Sequence, residues 1–125
     1  MICYEIIYSG KIFQNQSFDL MVNISEDGWF GRSIGPKQHF VHSIFRSVES
    51  GKYLLRSANN GIAAIINPLG VVEQKVEYGD SSYVDFKKAK KIQPTLFSKY
   101  GNKIFITLIL LYIFMIFSFN RFENE

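Results

Sequence analysis

One thiol is present in the chain, Cys3 in Ile2-Cys3-Tyr4-Glu5, and it is the candidate nucleophile. A free thiol is mostly protonated at neutral pH. It becomes reactive beside a base, a cation or a helix N-terminus. Glu5 could share its cleft, although a residue two positions along rarely makes a good proton acceptor for its neighbour. No other acid, lysine or histidine has a spacing that marks it as the base. The competing reading is a small buried hydrophobe, the usual fate of a lone cysteine. His39 and His42 stand at i and i+3 of one segment, as a metal pair would, but no third ligand is recognisable, and a solvated helix face is the alternative. No metal or cofactor is expected. A single cysteine excludes a disulfide framework and a cysteine-based zinc site. Asn15-Gln16-Ser17 and Asn23-Ile24-Ser25 match the glycosylation sequon, a pattern frequent by chance.

The elements that must position these residues read as a mixed α+β pattern. Phe18 to Ile24 forms an apolar strand ending at polar Ser25-Glu26-Asp27-Gly28. Gly35-Pro36 opens a helix, with proline suited to its first position, and Gly51 closes it as a left-handed cap. Phe40, Ile44 and Val48, flanked by Val41 and Phe45, give that helix one apolar stripe. Tyr53 to Arg56 and Ile62 to Ile66 are apolar runs separated by the hairpin signal Asn59-Asn60-Gly61. After the turn Asn67-Pro68-Leu69-Gly70, Val71 to Tyr78 alternates as a further strand. An α+β or layered sandwich follows, without internal repeats.

The 125 residues suffice for one domain and not for two. With 47% apolar and 20% charged residues, the chain is neither disordered nor polytopic. Its net charge of +3 is concentrated at Lys87, Lys88, Lys90 and Lys91. That patch is too small for a nucleic-acid face and suits a solvated loop or a lipid-headgroup segment, so no nucleic-acid partner is expected. From Ile104 to Phe119 the sequence IFITLILLYIFMIFSF carries no charge and lies between Lys103 and Arg121. A transmembrane helix over 102–121 is expected, with a short tail at 122–125. Its sixteen uncharged residues rise about 24 Å, and flanking Asn102, Asn120 and the snorkelling cations extend the reach. Met1 to Gly10 lacks the basic region of a signal peptide.

Taken in order, Ile2-Cys3-Tyr4-Glu5, Asn23-Ile24-Ser25, Asp27-Gly28-Trp29-Phe30-Gly31, Ser33-Ile34-Gly35-Pro36, Gln38-His39-Phe40, Arg46-Ser47, Glu49, Leu54-Leu55-Arg56, Asn59-Asn60-Gly61-Ile62 and Asn67-Pro68-Leu69-Gly70 form one string. It resembles the C-terminal part of the bacterial apolipoprotein N-acyltransferases, the membrane branch of the nitrilase, or carbon-nitrogen hydrolase, superfamily. The resemblance implies a partial four-layer αββα sandwich over 1–98, followed by one transmembrane helix. It implies that Cys3 takes an acyl chain from a phospholipid as a thioester and passes it to the N-terminal diacylglyceryl-cysteine of an apolipoprotein. Cys3 matches the nucleophile, the backbone N–H of Tyr4 an oxyanion donor, Glu5 a supporting acid, and Trp29 an aromatic beside the acyl-binding cleft. Asn59, Asn60 and Gly61 match a stretch expected to shape a turn. The implied location is the bacterial cytoplasmic membrane, with the domain on its outer face.

The family's catalytic set is Glu-Lys-Cys, and its glutamate and lysine lie upstream of the cysteine. This chain starts two residues before Cys3. The expectation is therefore a C-terminal fragment, inactive alone, that needs the N-terminal half from elsewhere, for instance as a separately encoded polypeptide. Basic residues before the apolar run outnumber those after it, which by the positive-inside rule favours a cytoplasmic domain, against the family arrangement. The rule weakens when a whole domain precedes the span. Two other functions compete: a soluble nitrilase-type amidase, which the apolar tail disfavours, and a non-catalytic membrane-anchored remnant.

Overall fold

The computed structural model describes residues 1–10, 18–90 and 92–123, with side chains to residue 119. The sequon at Asn15 and the last lysine of the basic patch, Lys91, lie outside the described residues. Strands β1 (Leu20–Glu26), β2 (Tyr53–Asn59), β3 (Ala63–Ile66) and β4 (Val72–Val76) form one sheet in the order β1-β2-β3-β4. β1 and β2 are parallel and joined by helix α1 (Gly35–Ser50); β2, β3 and β4 follow as an antiparallel meander. A parallel pair needs such a crossover, whereas the meander needs only tight turns. This mixed α+β arrangement with a four-stranded sheet fits a partial nitrilase-like fold.

The expected elements form, with shifted bounds. β1 runs two residues past Ile24, because Ser25 and Glu26 continue the pairing with Ala58 and Asn59. α1 ends where Gly51 takes φ 66°, and its N–H bonds Ser47 and Val48. The turn between β2 and β3 uses Asn60 at φ 50°, a conformation asparagine tolerates better than most residues.

The faces of α1 depart from the apolar stripe. Its buried residues are Pro36, His39, Ser43, Arg46, Ser47 and Ser50, a polar set at helical spacing, while Val41, Phe45 and Val48 are exposed. Phe40 and Ile44, from the middle of the stripe, do pack on the core of Ile6, Met21, Leu54, Ala64 and Ile66. Small hydroxyl side chains let the helix lie close to the sheet and satisfy backbone groups there. Ser47 Oγ is 2.6 Å from Lys52 O and 2.7 Å from Asn67 O, and Ser50 Oγ donates to Arg46 O at 2.8 Å. Apolar contact alone would not have chosen this face; the hydrogen bonds its side chains make beneath the helix favour it.

The sheet's α1 side is divided. Met21, Leu54 and Ile66 share one row and fill the apolar end, whereas Asn23 and Arg56, paired in register, begin a polar end. On the opposite face Val22, Leu55 and Ile65 form a row. The segment around 82–86 lies over part of it, with Phe86 against Tyr53 (5.3 Å between centroids) and Asp85 bonded to Gln74.

Beyond the sheet, α2 (Leu96–Tyr100) is capped by Thr95, and α3 (Lys103–Glu123) carries the uncharged run. Nearly all its described side chains are exposed. Among the described residues no helix is long and apolar enough to cross a membrane. The sequence expectation of a span over 102–121 thus meets a helix of the right place, whose uncharged stretch rises about 24 Å against a ~30 Å hydrocarbon core.

Candidate active site

Cys3 opens a 3₁₀ turn (Cys3–Ile7) fed by two residues that run along the outer edge of β1. Ile2 bridges Ile24 in parallel, Ile24 N–H donates to Met1 O at 3.1 Å, and the Met1 ammonium donates to Val22 O at 2.9 Å. The chain then turns sharply, and Cys3 takes φ 45°. A left-handed backbone on a residue with a Cβ costs about 1–3 kcal/mol, and such strain concentrates at functional turns. Glycine would adopt it freely. Cys3→Gly is therefore expected to stabilise the fold by about 1 kcal/mol, seen as a higher urea midpoint. Cys3→Ala, which keeps the Cβ, should leave the midpoint near that of the unsubstituted chain.

Glu5 acts on the same turn. Its Oε2 accepts from Ile2 N–H at 2.7 Å while its own N–H donates to Ile2 O at 3.1 Å. The carboxylate clamps the backbone on either side of Cys3. The N–H groups of Cys3 and Tyr4 precede that first turn bond, the position at which helical N–H groups have no partner inside the turn. The Tyr4 ring stacks on His39 at 5.2 Å and meets Phe30 at 5.9 Å. Trp29 lies in the neighbouring 3₁₀ turn (Gly28–Phe30) and is 87% exposed. Of the two adjacent aromatics, Phe30 is the one the fold brings to Tyr4.

Beneath the thiol lies a buried polar network. Ser25 Oγ is 3.8 Å from Cys3 Sγ and donates to Asp27 Oδ1 at 2.7 Å. Asp27 is fully buried and meets Arg56 Nη2 through Oδ2 at 2.7 Å and His39 Nδ1 through Oδ1 at 2.9 Å. A carboxylate only accepts, so His39 carries its proton on Nδ1. Arg56, itself buried, also donates from Nε to Ile62 O at 3.2 Å and from Nη1 to Asn23 Oδ1. Burial pushes the Asp27 carboxyl up. The hydrogen bonds from Ser25 and His39 and the Arg56 guanidinium outweigh it and hold the group below the usual carboxylate range. Gly61 belongs to this centre: a Cβ there would stand 2.3 Å from Asp27 Oδ2. The turn residue is small because the carboxylate occupies its space.

The sign of the pH dependence follows. A carboxyl lowered in the folded state contributes stability that is present above its ordinary value, here 3.8, and is lost as pH falls through the folded value. Ser25→Ala removes a bond that favours the ionised form, so its acid unfolding midpoint should lie above that of the unsubstituted chain. Near-UV circular dichroism across an acid titration measures both.

Ser25, Asp27 and Arg56 carry no catalytic role in the sequence reading, and His39 stands there only as half of a possible metal pair. A signal was there: Asn23, Ser25 and Asp27 recur with period two on the inward face of an otherwise apolar strand segment, and Arg56 directly follows Leu54-Leu55. The two histidines are divided in their company. His39 is committed to Asp27, while His42 lies edge-on to Phe45 at 6.4 Å. Among the described residues no group of three or more potential ligands could hold a metal ion.

The profile of the carbon-nitrogen hydrolase family matches residues 1–87. The chain belongs to the carbon-nitrogen hydrolase family. It is 45% identical over 118 residues to an apolipoprotein N-acyltransferase of Rickettsia bellii, covering 93% of this chain and 23% of that protein. It is 40% identical over 104 residues to the enzyme of that name from Rickettsia prowazekii (82% of this chain, 21% of that one). With the one from Wigglesworthia glossinidia brevipalpis it shares 42% over 103 residues (81% and 21%). The chain thus spans less than a quarter of the length of these relatives. The matched region takes in the sheet, α1, the Cys3 turn and the buried Asp27 centre.

Proposed function

We propose that this chain carries the nucleophile of an apolipoprotein N-acyltransferase. Its Cys3 thiolate attacks the ester carbonyl of a phospholipid. The oxyanion rests on the Tyr4 N–H, the lysophospholipid leaves as its alcohol, and the acyl chain stays on Sγ as a thioester. The α-amine of a diacylglyceryl-cysteine then attacks that thioester, the amide forms, and the thiolate departs. The proton acceptor and the lysine of the family's set come from the remainder of such an enzyme, covalently joined or separately encoded. Glu5 holds the turn rather than taking the proton, and Trp29, wholly presented to the surroundings, offers its ring to the acyl chain.

The observation that carries this reading is Cys3 at φ 45° at the head of its turn, with the identity to three enzymes of that name. Helix α3 supports a membrane setting, because an apolar helix exposed on every face is costly in water. We place it in the bacterial cytoplasmic membrane with the sheet on the outer side.

A graft tests the reading. The matched segment of the Rickettsia bellii enzyme is replaced by this chain, and N-acylation of a diacylated lipoprotein is followed by mass spectrometry. Activity within about tenfold of the parent is expected. A graft that folds and inserts like the parent but transfers nothing would contradict the proposal.

A further inference from the structure

Ser25 has one hydroxyl hydrogen and two neighbours for it. Asp27 Oδ1 is 2.7 Å away and charged; Cys3 Sγ is 3.8 Å away. The nearer, charged acceptor takes the hydrogen, since charge-assisted bonds are shorter and about twice as strong as neutral ones. The arrangement cannot relax to suit the thiol, because Asp27 is fixed by Arg56 and His39 and is fully buried, and Ser25 is itself buried. With its hydrogen given to Asp27, Ser25 Oγ meets the sulfur only as an acceptor.

We propose that Ser25 is a positioning residue for Cys3, its Oγ accepting the thiol hydrogen while its own hydrogen is committed to Asp27. The chain Cys3 S–H to Ser25 O–H to Asp27 carboxylate fixes the direction of the sulfur on a turn already held by Glu5. No proton reaches Asp27, whose ionised form the network favours. Among the described residues, the charged and titratable groups on the elements around the thiol include the Met1 ammonium, Tyr4 and Glu5 on its own segment, Glu26 and Asp27 at the end of β1, Lys37, His39, His42, Arg46 and Glu49 on α1, and Arg56 on β2. Ser25 Oγ lies within bonding distance of Sγ.

This inference deepens the reading of Cys3 as nucleophile, and its test needs no acyl transfer, so the two fail separately. The chain has a single cysteine, so iodoacetamide alkylation of the full 125-residue protein in detergent reports on Cys3 alone. The rate is followed against pH for the unsubstituted chain, Ser25→Ala and Ser25→Thr. Removing the acceptor should lower the alkylation midpoint of Ser25→Ala by about half a unit, a roughly threefold faster reaction below the midpoint. Ser25→Thr, which keeps the hydroxyl, should hold the midpoint of the unsubstituted chain. A role in packing alone would leave the Ala midpoint unmoved. An unchanged or raised midpoint overturns the proposal; a rise would mean that the hydroxyl donates to the thiolate. If Ser25→Ala does not fold, the unsubstituted chain decides. Its S–H Raman band should lie at lower wavenumber than that of ethanethiol in hexane, and a band at the free-thiol position overturns the proposal.

Discussion

Asp27→Ala should cost the fold about 3–5 kcal/mol, because it leaves the Arg56 guanidinium buried without its carboxylate. That is a large part of the ~5–15 kcal/mol by which ordinary domains are stable, and equilibrium urea unfolding will show it as a strongly lowered midpoint. Removing the guanidinium instead, with Arg56→Met, should cost a similar amount: Asp27 keeps Ser25 and His39 but loses the one permanent positive charge beside it. The two changes together should cost less than the sum of the singles, since neither then strands a charge. The free energies of the two singles and the double form the measured cycle. Additive costs would show that the pair is not the centre of the polar end of the sheet. The carboxylate also explains Gly61, so Gly61→Ala should injure the same centre from the opposite side, by crowding.

Cys3→Ala in the Rickettsia bellii graft should lower N-acylation by on the order of 10⁶-fold, the scale seen when a covalent nucleophile is removed from an enzyme that otherwise still binds its substrate. Stability should not fall with it, because the Cβ and the turn bonds of Glu5 remain. Glu5→Gln, by contrast, keeps an oxygen for Ile2 N–H but loses its charge. It should reduce activity modestly if the carboxylate's task is to hold the turn. Separate measurement of acylation rate and of urea midpoint distinguishes the two residues: the thiol is needed for chemistry, and the carboxylate for the shape of the turn that presents it.

Much of the fold was legible because its signals are local. Pro36 and Gly51 mark the ends of α1, and Asn59-Asn60-Gly61 marks the hairpin between β2 and β3. The inner face of α1 was not legible from hydropathy. Val41, Phe45 and Val48 belong to the apolar stripe yet stay outside, while serines, His39 and Arg46 go in: His39 and Ser43 meet Asp27 and Arg56, Ser47 bonds the carbonyls of Lys52 and Asn67, and Arg46 pairs with Glu49 on α1 itself. Burial here follows hydrogen-bond demand, which depends on residues distant in sequence and has no helical period. The candidate nucleophile could be named from its type and its neighbours. Ser25 and Asp27 could not be linked to it, since their contact depends on Met1 and Ile2 running beside β1. The same limit applies to Trp29 and Phe30: both are aromatic and adjacent, and only the turn decides which one meets Tyr4.

The measurement closest to the central claim is the state of the Cys3 sulfur in the graft after exposure to phospholipid without a lipoprotein acceptor. Intact-protein and peptide mass spectrometry should find one acyl chain on Cys3, removed by neutral hydroxylamine as a thioester is, and transferred when the acceptor is added. An enzyme that acylates lipoprotein while Cys3 stays free, or that carries its acyl chain on another residue, would contradict the assignment of Cys3 as the nucleophile.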